Sequence, residues 1–144
     1  EEHNLNRLDI PYRLLGKNKS DVTKTAILSL RDEATVYAYP FKFNDLESGF
    51  DWVIDCTDNA ESQILNQEIA KKMGAKYFKA GYDGTNFGIH NTVAEWGEST
   101  DGYTIVPSWV VPAVTVAALA VAKVMKYHDA ECISSMKHLF RFDR

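Results

Sequence analysis

A chain of 144 residues, 45% hydrophobic, 25% charged and 12% aromatic, suits one domain with a real core. Its net charge of −4 gives no basic footprint, which argues against a nucleic-acid partner. Two cysteines without a CxxC pair exclude a disulfide scaffold and a zinc ribbon, so a reducing, cytoplasmic setting is expected.

Residues 1–16 read as a polar loop broken by Pro11. "KSDVTKTAILSLRDEA" predicts a helix: Ser20 or Asp21 can cap it, and Val22, Ala26, Ile27 and Leu30 recur at helical spacing. "TVYAYPFKF", residues 35–43, is β-branched and aromatic and predicts a strand, placed at an edge or bulge by Pro40. "WVIDC" is a short continuous apolar run that suits a central parallel strand. "NAESQILNQEIAKKMG" predicts a helix closed by Gly74. "KYFKAGYDG" predicts the next strand and a Gly-rich turn, and "FGIHNTVAEW" and "YTIVPSW" two further extended segments. "VVPAVTVAALAVAKVMK" is strongly apolar, but it is shorter than a bilayer span and broken by Pro112 and Lys123. A core helix with Pro112 in its first turn is expected there. "MKHLFRFDR" reads as a last strand. The order implies an α/β fold whose sheet is covered by helices and ends in antiparallel additions. No GxGxxG and no Walker A occurs, so the Gly-rich βαβ unit that opens most nucleotide-binding sheets is missing.

The densest chemistry is "DCTDN", residues 55–59, at the end of the apolar run. Ligands of open α/β sheets sit beyond the carboxyl ends of strands, where a carboxylate can hold Mg²⁺ with substrate phosphates. The competing structural reading makes Asp58 the N-cap of the next helix and Asp55 the closure of a turn. Cations occur upstream: Arg7 within "HNLNRL", and Lys17 and Lys19 just before a helix start, where anions are favoured. Arg7 and Lys19 on phosphate oxygens and Asp58 on a metal would together make a polyphosphate site. The turn "GYDGTNFG" could let a substrate tail approach the backbone, or serve only as a hairpin turn.

In this order, "NLNR", "GKNK" and "VIDCTDN" resemble the ubiquitin-activating-enzyme-like adenylyltransferases of the ThiF/MoeB group. "FKAGYDGTNFG", the apolar helix and "LFRFD" are similar to later elements of that group, so the likeness spans essentially the whole chain. The resemblance implies a partial Rossmann-like mixed sheet within a single activating domain over 1–144. It implies ATP and Mg²⁺ as cofactors and adenylation of a C-terminal carboxylate on a ubiquitin-like or sulfur-carrier protein, with release of pyrophosphate. It implies that Asn4 and Arg7 contact ATP, that Lys19 lies on its phosphates, and that Asp58 is the Mg²⁺-linked acid with Asn59 beside it. A homodimer is the group's common state, and some relatives act on peptides or a modified tRNA base.

Departures from the pattern narrow this expectation. The Gly-rich loop and ribose-binding acid would precede Glu1, which reads as the carboxyl-terminal part of an activating domain. The zinc-binding CxxC pairs are missing, and no cysteine falls between His90 and Trp109, so a thioester step is not expected. Two rivals stand beside adenylation: a non-catalytic scaffold half of an activating dimer, and a nicotinamide-dependent oxidoreductase.

Overall fold

The computed structural model describes residues 10–41, 43, 49–83, 86–93, 110–126 and 132–135. These fall into two compact units divided between Phe43 and Asn44.

In the first unit a short 3-10 turn, Tyr12–Leu14, precedes helix α1, Lys19–Leu30. Gly16 reverses the chain between them at φ +81°, a conformation that favours glycine. The cap of α1 is Asn18, two or three residues ahead of the expected Ser20 or Asp21. Its side-chain oxygen accepts from the Ser20 N–H at 3.3 Å and the Ser20 hydroxyl at 3.0 Å. Asn caps as well as Ser or Asp, and the extended backbone of Asn18 (φ −66°, ψ 130°) starts the helix at Lys19.

The strand expected over 35–43 does not form among the described residues, whose Tyr37, Tyr39 and Phe41 are exposed. A β-prone composition stabilises a strand only against a paired neighbour, and no described strand pairs with this run. Instead Tyr39 and Phe41 meet locally, their ring centroids 5.5 Å apart.

The second unit holds a mixed sheet. Strand β1, Trp52–Asp55, lies parallel to β2, Lys76–Asp83, with helix α2, Ala60–Met73, as the crossover. Strand β3, Asn86–His90, returns antiparallel to β2. The Asp83–Asn86 register leaves two residues for the turn, as the hairpin reading expected. Strand β4, Cys132–Ser135, adds antiparallel to β3 and was not anticipated. The spatial order is β1-β2-β3-β4. The sheet is open, and the fold is the expected α/β class, consistent with a partial Rossmann-like domain with antiparallel additions. The "YTIVPSW" and "MKHLFRFDR" expectations lie outside the described residues.

Alternation along β2 assigns the faces, since successive side chains point to opposite sides. Phe78 and Ala80 pack with Phe87 and Ile89 of β3 and with Val116 and Ala120 of helix α3, Val110–Val124. Tyr77 points the other way, to α2, where its hydroxyl lies 3.5 Å from the Gln63 carbonyl. The two helices therefore cover opposite faces. Phe78 and Ile89 are fully buried on the α3 face, and Trp52 meets Phe78 edge-on at 5.7 Å.

The α2 face is different. Helix α2 turns Gln63, Asn66 and Ala70 toward the sheet, at i, i+3 and i+7, while Ile64 and Leu65 are exposed. Opposite them the sheet presents Asp55, Lys79 and His90, all buried. One face of the sheet is thus an apolar core and the other a polar one. On α3, Pro112 falls in the first described turn, as expected, and no helix among the described residues is long and apolar enough to cross a membrane.

Candidate functional site

The acidic strand end is built by three hydrogen-bonded residues that leave a fourth free to act. Asp55, the last residue of β1, is buried, and both its carboxylate oxygens are occupied. Oδ1 accepts from the Thr57 N–H at 2.8 Å and the Thr57 hydroxyl at 2.7 Å. Oδ2 accepts from the Tyr77 hydroxyl on β2 at 2.9 Å. The Thr57 carbonyl accepts in turn from Gln63 Nε2 of α2 at 2.8 Å. Asp55 therefore closes a turn, as one sequence reading held, and Thr57 is clamped from both sides.

Asn59 supplies the N-cap of α2, accepting from the Ser62 N–H at 2.9 Å through Oδ1. This corrects the alternative that gave capping to Asp58. Asn59 sits one position nearer the helix with extended backbone (φ −127°, ψ 142°), where its side chain reaches back to the third amide. Asp58 is left exposed at the carboxyl end of β1, beside the positive end of α2. Within "DCTDN", three side chains hold the turn and Asp58 faces outward.

Cys56 is also exposed. Shielding of the thiol from water, and then the neighbouring Asp55 carboxylate, push its pKa above the ordinary 9.0. An activated nucleophile needs the opposite shift, so this thiol is poorly suited to a thioester step.

Sequence reasoning missed Lys79, Tyr77 and Gln63. Lys79 lies next to Asp55 in the β1–β2 register and next to His90 in the β2–β3 register. Burial lowers its pKa, while the charges of Asp55 and Asp58 oppose that fall. Burial, then the hydrogen bond to Asp55 and its charge, raise the Tyr77 phenol far above its ordinary range. The signal was present in "KYFKAG": a period of two sets Tyr77 and Lys79 on one face of the strand, opposite the apolar Phe78 and Ala80.

Of the other expected site residues, Lys19 is the first residue of α1 and is exposed, beside the helix N-terminus that Asn18 caps. Asn4 and Arg7 lie outside the described residues. Among the described residues, no three His, Cys, Asp or Glu side chains cluster in a way that could hold a metal ion by themselves. A single outward carboxylate is nonetheless the donor set that suits Mg²⁺ arriving on phosphates, which supply the remaining oxygens.

Among curated proteins, none matches this chain. The model of the ThiF family matches residues 1–126.

Proposed function

This chain belongs to the ThiF family, and on that premise we propose that it adenylates the C-terminal carboxylate of a ubiquitin-like or sulfur-carrier protein. Family membership supports an adenylyltransferase-type enzyme in general terms, and ATP is the group's usual nucleotide. The observation that carries the finer reading is the division of labour at the strand end. Asp55, Thr57 and Asn59 are consumed in holding a turn, and its product is one exposed carboxylate, Asp58.

When bound, Mg·ATP supplies an α-phosphorus for the acceptor carboxylate oxygen and pyrophosphate as the leaving group. Asp58 would hold the metal from the protein side. Lys19 would hold phosphate oxygens at the start of α1, where helix amides already favour anions. Arg7 and Asn4 keep the nucleotide-contact roles that the resemblance gives them. These groups act on charge that builds during transfer, so each contributes mainly to the rate. A cytoplasmic location and a homodimer belong to the same proposal; sedimentation of the full chain tests the dimer.

The test is ATP–pyrophosphate exchange driven by an acceptor carboxylate. Asp58→Asn and Lys19→Ala are each expected to lower exchange by about a hundredfold or more. Nicotinamide turnover without exchange would overturn adenylation, and failure to bind Mg·ATP would favour a scaffold half.

A further inference from the structure

Three ionisable side chains form one row across three strands of the α2 face. Asp55 on β1 stands in register with Lys79 on β2, and Lys79 with His90 on β3. Each is less than a tenth exposed. Asp55 accepts from three uncharged donors, an amide, a threonine hydroxyl and a phenol, and none of them neutralises its charge. A buried carboxylate calls for a compensating charge, and the ammonium beside it is that of Lys79. The same ammonium also interacts with the exposed Asp58, three residues on. One buried cation therefore answers two carboxylates with different tasks, one structural and one facing outward.

We propose that Lys79 sets the ligand selectivity of the acidic strand end: it holds the Asp55–Asp58 pair to a single net negative charge, so that Asp58 accepts a divalent cation carried on nucleotide phosphates and rejects the free ion. The inference rests on the adenylation reading and deepens it. A bare divalent ion arriving at Asp58 is repelled by the ammonium behind it. A metal–triphosphate complex carries net negative charge and is attracted by the same group. The effect of Lys79 thus changes sign between the two ligands. A lysine that only props up the fold would weaken both kinds of binding together when removed.

The experiment uses the full chain with Mn²⁺ as probe. Free Mn²⁺ binding is measured by electron paramagnetic resonance without nucleotide, and Mn·ATP binding by calorimetry, for the wild type, Lys79→Met and Lys79→Arg. Lys79→Met is expected to bind free Mn²⁺ about tenfold more tightly and Mn·ATP about tenfold more weakly. Lys79→Arg keeps the charge and is expected to stay within about threefold of the wild type on both. If Lys79→Met lacks native circular dichroism, Lys79→Gln, which keeps a hydrogen-bonding head, carries the same expectation. A neutral variant that moves both affinities in one direction, or neither, overturns the proposal while leaving adenylation standing. Absence of Mn·ATP binding by the wild type removes the adenylation reading and this inference with it.

Discussion

Tyr77 donates its phenolic hydrogen to Asp55 across the β1–β2 pair at 2.9 Å, and so anchors the carboxylate that shapes the candidate site. The bond crosses 22 positions of sequence, from the strand after α2 back to the strand before it. It ties the crossover unit shut on its polar face, opposite the core that α3 covers.

That bond has an alkaline signature. The folded chain holds the Tyr77 proton well above the ordinary value of 10.0, whereas the unfolded chain releases it there. The stability contributed by the raised pKa is complete below pH 10 and is lost as pH rises further toward the folded value. Ultraviolet titration of tyrosinate should show one phenol that ionises only with unfolding. Tyr77→Phe should remove that phenol from the titration and lower stability at neutral pH by about 1–2 kcal/mol. Loss of amplitude near pH 10 in the variant, with the high-pH phase retained, would show that Tyr77 titrates as an ordinary phenol.

Capping and function separate at adjacent residues. Asn59→Ala removes the acceptor of the Ser62 amide and should cost about 0.5–2 kcal/mol by urea unfolding. Asp58→Asn touches no cap and should stay within about 0.5 kcal/mol of the wild type. The reverse order of stabilities would restore Asp58 as the cap and undercut its role at the strand end.

Helix α2 ends on Gly74 at φ +70°, with the Ala75 N–H returning to the Ala70 carbonyl at 2.9 Å. A Cβ on Gly74 would meet no atom within 4 Å, so crowding contributes nothing and the backbone conformation alone sets the cost. Gly74→Ala should destabilise by about 1 kcal/mol, and Gly74→Asn by less, since Asn tolerates the left-handed region. Equal stabilities for wild type and Gly74→Ala would mean the helix does not terminate through this conformation.

The raised thiol pKa of Cys56 predicts slow alkylation despite its exposure. In a Cys132→Ser background, iodoacetamide should modify Cys56 more slowly in the folded chain than in urea at pH 8, because only the thiolate reacts. Faster reaction in the folded chain would reopen a thiol-transfer step.

The limits of the sequence reading follow from where each signal is stored. Helices α1, α2 and α3 and the strand at "WVID" were legible because periodicity and terminal residues are local. Gly74 closed its helix as read, since only a residue tolerant of positive φ suits that position. The 35–43 strand was misread for the complementary reason: composition signals β preference, but a strand exists only through its neighbour. Strand β4 was missed because its edge pairing with β3 is a fact about two distant segments.

The sequence by itself determined the α/β class, the position of the acidic strand end and the family motifs, because apolar periodicity, turn chemistry and motif spacing are properties of contiguous residues. Only the tertiary structure decided which members of "DCTDN" build and which one faces outward. Asp55 is spent on Tyr77, Thr57 on Gln63, and the ammonium of Lys79 is set in register beside them. Those assignments depend on hydrogen bonds and charges between strands far apart in the chain, whose geometry exists only after β2 has docked against β1.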